Sequence, residues 1–260
     1  MLELIGDILN WLAAGVLFPL MLLPLAALIR ESRAPSSITW LTLVALFSIA
    51  GIVFTTMVPV LRANVPGDTL LIFASVCAAL FATILLAGGA RPSSKALATA
   101  FSGVTKTTGR AVMWLLLIMA LVQFAVVLLR YVFGINEIFT QESITYMHGA
   151  VFLLAAGYAL LTNDHVRVDI FYRDASPKRK AVIDLLGTYL FLFPICLIIL
   201  WTASPYVARS WAFFEGSADT SGIQGVFLLK SLIPAFAVLL AIAGFVVAHR
   251  AVETLKGRGA

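Results

Sequence analysis

Charged side chains are scarce in this sequence. Asp, Glu, Lys and Arg make up 12% of its 260 residues, about half of their share in soluble globular proteins. This scarcity excludes an ordinary water-soluble enzyme. Cysteine is also rare: Cys77 and Cys196 each lie inside an apolar block, where a thiol behaves as a small buried hydrophobe. Neither cysteine indicates a disulfide or a metal site.

The beginning of the sequence lacks the basic region of a cleavable signal peptide. Glu3 and Asp7 stand where such a peptide carries positive charge, and no small-residue cleavage pattern follows the first apolar stretch. We therefore expect the first helix to remain in the mature protein.

Motifs of common catalytic sites are missing as well. The sequence has no Gly-rich phosphate loop, no serine in a glycine elbow and no HExxH zinc motif. Asp164, His165 and Asp169 offer metal-capable atoms, but their spacing matches no ligand motif and no further His or Cys lies nearby. We therefore predict no enzymatic activity, no metal ion and no cofactor.

Long uncharged apolar blocks are what the sequence has instead. There are seven, each about as long as the 20 residues with which a helix crosses a bilayer. A membrane β-barrel would show segments of about ten residues with alternating polarity. The pattern predicts an all-α integral membrane protein with about seven transmembrane helices. The blocks are 8–29, 34–61, 69–90, 111–129, 143–163, 185–208 and 231–248.

The basic residues predict the orientation of these spans, because Lys and Arg accumulate in cytoplasmic segments. With the N-terminus outside, fourteen of the 18 basic residues fall on the cytoplasmic side and four on the outer side. We predict a periplasmic N-terminus and a cytoplasmic C-terminus in a bacterial inner membrane. The net charge of +5 is then mainly a topology signal, and we expect membrane lipids and no nucleic acid among the partners. The four outer residues are Arg62, Arg130, Arg209 and Lys230.

A change in composition divides the chain into three parts. Residues 1–90 form an N-terminal three-helix extension, residues 91–110 form a cytoplasmic connector, and residues 111–255 form a four-helix unit. In the connector, apolar residues recur at three- and four-residue spacing, which favours a helix lying in the headgroup layer. The alternative for the connector is a polar loop rich in Ser, Thr and Gly. The alternative to two separate helical units is a single bundle that both share.

Few polar groups lie inside the predicted spans, and these deserve inspection because burying them in a bilayer is costly. His148 in the fifth span is a candidate proton relay or haem ligand, although a simple hydrogen bond to a neighbouring helix is the more common role. Glu142 and Arg130 lie near the outer ends of adjacent spans. They either pair with each other or reach the headgroups separately.

These features favour a membrane subunit that contacts other proteins. A self-contained transporter or channel is the first alternative, but the chain shows no half-to-half repeat and few midplane polar groups. The anchor subunit of a redox complex is the second. Gly149 and Gly157 lie on one helical face and suit close packing against a partner helix.

Several runs in the second half of the chain resemble the small membrane subunit, DctQ type, of tripartite ATP-independent periplasmic (TRAP) transporters. They extend over about residues 106–255, and the His165–Asp169 run, His-Val-Arg-Val-Asp, is the most specific. The residues that the resemblance marks as family-motif or partner-interface candidates are Arg130, Tyr131, Glu142, His165, Arg167, Asp169, Trp211, Glu215, Lys230 and Pro234.

The resemblance implies a four-span scaffold with both of its ends in the cytoplasm, in agreement with the charge count. It implies a large permease subunit that carries the substrate and sodium sites, and a periplasmic solute-binding protein that delivers a small solute such as an organic acid. Two features depart from the family pattern. Glu142 stands where the family usually has two adjacent acids, and the three N-terminal spans have no counterpart in the minimal unit.

Overall fold

The computed structural model describes residues 18–29, 90–165 and 172–258, and the regular secondary structure in these ranges is helical. Those ranges contain no β-strand. Four of their helices are long and apolar enough to cross a membrane, which confirms the four predicted spans in the second half of the chain. The predicted spans 34–61 and 69–90, apart from Ala90, lie outside the described residues, so a total of seven stays a prediction.

Seven α-helices and one π-helical segment follow one another in the described chain. The π-helical segment, Thr188–Leu192, continues directly from α5 into α6, so that Pro177–Ala212 forms one membrane-length span. The α-helices are α1 (Phe18–Met21), α2 (Leu23–Ile29), α3 (Ala90–Val132), α4 (Ile138–Thr162), α5 (Pro177–Gly187), α6 (Phe193–Ala212) and α7 (Val226–Leu255).

Helix α3 includes both the predicted connector and the span after it. Its 43 residues measure about 64 Å at 1.5 Å per residue, about twice the thickness of a bilayer core. Residues 91–110 are thus neither a polar loop nor a separate helix. The reason is a buried stripe at four- and three-residue spacing that packs this half of α3 into the bundle. The stripe consists of Ser94, Ala98, Phe101 and Thr105.

Helix α7 is the centre of the bundle and packs against α3, α4, α5 and α6. Its buried residues are mostly small, and Ala237, Ala243 and Ala248 have no exposed surface. Phe101 of α3 meets Phe245 edge to face, with 5.2 Å between the ring centroids. The small side chains of α7 let several helices approach it closely, which is how membrane helices commonly associate.

The two glycines of α4 face α7 and not an external partner. A Cβ atom added to Gly157 would lie 2.8 Å from the backbone oxygen of Leu239. A Cβ atom on Gly149 would lie 3.1 Å from the side chain of Leu229. The expected glycine contact face therefore exists, but the same chain covers it.

The described part of the N-terminal region shares a core with the four-helix unit. Leu23 of α2 is fully buried in a cluster that includes Phe245 of α7. Two hydrogen bonds hold the backbone of this region: the Tyr189 hydroxyl donates to the carbonyl of Met21 at the end of α1, and the Lys256 ammonium donates to that of Ala27 in α2. Helix α2 is thus attached to the four-helix unit along its length.

We predict that Gly157→Ala destabilises the protein by about 1–3 kcal/mol, the usual cost of overpacking, because its Cβ atom would collide with the backbone at Leu239. Thermal unfolding of the detergent-solubilised protein measures this. The control is Gly103→Ala, where no atom lies within 4 Å of the added Cβ. We expect this control to be neutral or up to about 1 kcal/mol stabilising, because alanine favours helix. Equal melting temperatures for both variants would contradict the close contact.

Candidate functional site

The α6–α7 loop, residues 213–225, begins with a turn that reverses the chain tightly. Phe214 has a φ of 45°, a left-handed conformation that bulky residues rarely adopt. The amide of Glu215 donates to the carbonyl of Ser210 at 3.0 Å, which closes the end of α6 in the pattern usually supported by glycine. Phe214 also packs edge to face on Phe227 at 5.6 Å. This ring contact helps to offset the backbone strain.

Trp211 fixes the end of α6 to the beginning of α7. Its indole Nε1 donates a hydrogen bond of 2.8 Å to the Ser231 hydroxyl. Its ring lies 4.7 Å from that of Phe227. Pro234, buried one turn after Lys230 in α7, lines an apolar groove together with Trp211. The indole therefore satisfies its one polar atom within the bundle and contributes the rest of its surface to packing.

Glu215 and Lys230 form an ion pair across the same junction, with 2.5 Å between Oε2 and Nζ. The Lys230 ammonium also lies 4.2 Å from the ring centroid of Tyr206, in cation–π geometry. The hydrogen bond from Lys230 lowers the pKa of Glu215 below its ordinary value of 4.5. The acid is therefore ionised and bound at neutral pH.

Glu142 connects α4 to the α6–α7 loop. One carboxylate oxygen accepts the Ser217 hydroxyl, and the other accepts the backbone amide of Ile223 at 2.7 Å. The hypothetical ion pair with Arg130 does not form within the described residues. Both oxygens of Glu142 already have donors from the loop, and Arg130 is exposed near the end of α3.

Glycine is required where the loop passes Glu142. A Cβ atom on Gly222 would lie 2.3 Å from the Ser217 hydroxyl and 2.7 Å from a Glu142 oxygen. Sequence reasoning missed the roles of Ser217, Gly222 and Ile223. Only Ser217 could have been noticed, because it lies two residues after Glu215, which the family resemblance marks as a candidate. Ile223 contributes a backbone amide, and no side-chain pattern could indicate that.

The remaining family-motif candidates are not part of this cluster. Tyr131 is 78% exposed at the end of α3, beside the exposed Arg130. His165 is exposed after α4, and its Nε2 lies 3.3 Å from the carbonyl oxygen of Ala156. Arg167 and Asp169 lie outside the described residues. The structure thus brings together Glu142, Trp211, Glu215, Lys230 and Pro234 around the α6–α7 loop.

His148 does not form the expected hydrogen bond to a neighbouring helix in the described part of the chain. It is exposed on α4 and stacks on Phe152, with 6.3 Å between the ring centroids. Neither ring nitrogen has a hydrogen bond to another described residue. Thr145, one turn before it, is also exposed, and so is Gln123 on α3. All three are polar side chains on the outer surface of membrane-length helices.

The contacts around the α6–α7 loop fix the conformation of the loop and the ends of the adjoining helices. The polar groups of this cluster bind one another, and no group of three metal-ligating side chains occurs in the described part of the chain. Glu142, Trp211 and Lys230 each join two elements. The arrangement therefore fixes the ends of α4, α6 and α7 and presents a folded loop at one end of the bundle.

We predict that the Glu215–Lys230 ion pair stabilises the protein near neutral pH and that this contribution disappears in acid. The pKa of Glu215 is lowered on folding, so the stabilisation is present above the unfolded-state pKa near 4.5 and is lost as pH falls through the lower folded-state value. Melting curves of the wild type and Glu215→Gln across this range measure it. We expect the two curves to differ near pH 7 and to converge in acid. A difference that is constant with pH would exclude the ion pair as its cause.

We predict that Glu142→Gln loosens the α6–α7 loop without unfolding the bundle, because an amide has only one oxygen to replace the two that hold Ser217 and Ile223. Amide hydrogen exchange of residues 213–225 should become several-fold faster, while α7 stays protected. Glu137→Gln is the control, since Glu137 is exposed and its carboxylate accepts a hydrogen bond only from the nearby Thr140 hydroxyl among the described residues. Unchanged loop exchange in Glu142→Gln would contradict the proposed role of its carboxylate.

Comparison with known proteins agrees with the sequence resemblance. No curated protein and no solved structure matches the chain. Residues 119–254, which are 136 of the 260 residues and just over half of the chain, match the family described as tripartite ATP-independent periplasmic transporters, DctQ component. The match covers α4 to α6, nearly all of α7 and the apolar end of α3. This is a family of transporter components and not of enzymes, and the chain belongs to it as a small membrane subunit of a TRAP transporter.

Proposed function

We propose that this chain is the scaffold subunit of a sodium-driven importer of a small solute, such as an organic acid. The family membership supports it, together with a bundle whose interior is closed by small apolar residues. Transport then takes place in a large permease subunit that carries the substrate and sodium sites. A soluble binding protein captures the solute on the periplasmic side.

The same proposal places seven spans in a bacterial inner membrane, with the N-terminus in the periplasm. The distribution of basic residues supports this orientation. The ends of α3 and α6 and the beginnings of α4 and α7 then lie outside. The α6–α7 loop is on the periplasmic face in this orientation. Glu142, Trp211, Glu215 and Lys230 would hold that loop where a binding protein can reach it.

We propose that residues 1–90 widen this scaffold and that residues 111–255 are its four-helix unit, joined through residues 91–110. The packing of α2 against α7 supports this role, because Leu23 and Ala27 are buried in the same core as Phe245.

The feature that carries the partner proposal is the exposed polar side chains of α3 and α4. Gln123 lies seven residues before Arg130, and His148 lies six residues after Glu142, which at 1.5 Å per residue is about 10 Å inwards in both cases. The two side chains thus have similar depth in antiparallel neighbouring helices. Hydrocarbon offers them no hydrogen bonds, so polar side chains at this depth almost always face protein or a water-filled cavity.

Large apolar side chains are exposed on the same two helices. Trp114 and Phe152 are each 70% exposed, and Phe124 is 63% exposed. Lipid can cover such side chains, but a surface that combines aromatic rings with hydrogen-bonding groups is typical of a protein interface. We propose that the exposed face of α3 and α4, marked by Gln123 and His148, contacts the large subunit.

We predict that the double variant Thr145→Val with His148→Leu weakens assembly. If this face contacts lipid, the apolar replacements are neutral or stabilising. If it contacts the large subunit, they remove hydrogen bonds across the interface. We expect recovery of the large subunit with the tagged chain to fall about tenfold, as for the loss of one or two hydrogen bonds between membrane helices. Pull-down from membranes that hold both subunits measures this.

Thr202→Val is the matched control, because Thr202 is also exposed on a spanning helix but bonds the Ile198 carbonyl of its own helix at 2.8 Å. We expect this variant to retain the large subunit fully. If the double variant recovers the large subunit as well as the wild type does, the exposed face of α3 and α4 contacts lipid and the interface proposal is wrong. The transport function itself requires a separate measurement: sodium-dependent solute uptake should need this chain, the large subunit and the binding protein together.

A further inference from the structure

A cavity of about 350 Å³ opens at the end of the bundle opposite to the α6–α7 loop. It lies where α4 ends, α5 begins and α7 approaches its end, and its lining includes Asn163, Lys180 and Arg250. All three lie at or near the ends of membrane-length helices. The cavity is therefore at the depth of lipid headgroups.

The charges of the cavity favour an anion. Lys180 and Arg250 line it, and neither forms an ion pair with an acid among the described residues. Arg250 donates one hydrogen bond to the Leu161 carbonyl at 3.2 Å, and four of the five guanidinium N–H groups remain. Lys180 lies 5.3 Å from the ring centroid of Tyr172. Asp184, the one acid among the described lining residues, accepts the Tyr172 hydroxyl at 2.9 Å.

The rest of the lining suits the part of a lipid next to its headgroup. Leu160, Ala181 and Val247 supply apolar surface beside the two cations. A phosphodiester has two non-bridging oxygens that share one negative charge and can bind Lys180 and Arg250, while the ester and chain region can lie against these apolar residues. Basic pockets of this kind between membrane helices bind anionic headgroups.

We propose that this cavity binds the headgroup of an anionic phospholipid of the phosphatidylglycerol type, with its phosphate between Lys180 and Arg250. A zwitterionic headgroup is disfavoured, because its ammonium would have to lie close to the same two cations. The site does not depend on the proposed transport function, since it requires only a membrane containing anionic lipid.

The test uses the purified full chain in a neutral detergent. Native mass spectrometry should show phosphatidylglycerol retained in preference to phosphatidylcholine, and phosphatidylglycerol should raise the melting temperature more, since ligands of the native state stabilise it. The double variant Lys180→Gln with Arg250→Gln should bind phosphatidylglycerol about thirtyfold more weakly, as for two basic contacts. The control double variant Lys178→Gln with Arg179→Gln removes the same charge from exposed positions outside the lining. We expect it to lose less than about threefold.

Three results would overturn the proposal. Equal loss in the two double variants would indicate general surface attraction. Equal retention of the two lipids would exclude a preference for anionic headgroups. Displacement of the lipid by millimolar inorganic phosphate would indicate a site for a soluble anion. If the Lys180 and Arg250 variant does not fold, the lipid preference and the phosphate competition of the wild type still test the proposed lipid site.

Discussion

The contact between α4 and α7 is the constraint on which the rest of the structure depends. A bilayer provides little hydrophobic drive for helices to associate, so close packing has to hold them together. Gly157 allows the backbone of α4 to approach Leu239 of α7. The small buried residues of α7, such as Ala237 and Ala243, continue this close approach towards other helices. A larger residue at Gly157 would therefore disturb more than one helix pair.

The loop at the end of the bundle depends on this spacing. Glu142 is carried by α4, and its donors Ser217 and Ile223 belong to the α6–α7 loop. Hydrogen bonds to both carboxylate oxygens tolerate little movement of α4 against α7, because their strength falls steeply with distance and angle. On the α7 side, Lys230 holds Glu215 directly after α6. The conformation of the loop therefore depends on the relative positions of α4, α6 and α7.

The scarcity of charge predicted the four described spans. The family resemblance marked five of the residues around the loop as candidates, but it did not predict that they lie together. Other features could not be predicted, for physical reasons. One of the hydrogen-bond donors to Glu142 is the backbone amide of Ile223. Every residue except proline has such a donor, so the sequence does not indicate which residue supplies it. The direction in which Gly157 faces depends on how helices are arranged in space. The connector is part of α3 because one side of it, including Ser94 and Thr105, is buried against the rest of the bundle. The local sequence does not show which side will be buried.

Helix α4 illustrates the basis of the proposed scaffold role. At one end, Glu142 has donors from its own chain for both oxygens, whereas His148, less than two turns further, is exposed without a hydrogen bond to any described residue. Composition does not cause this difference, since both residues are polar and lie on the same helix. The difference lies in the faces that they occupy. One face is completed by this chain, and the other presents polar groups that hydrocarbon cannot satisfy. A rigid bundle with such a face is suited to hold a second membrane subunit in place.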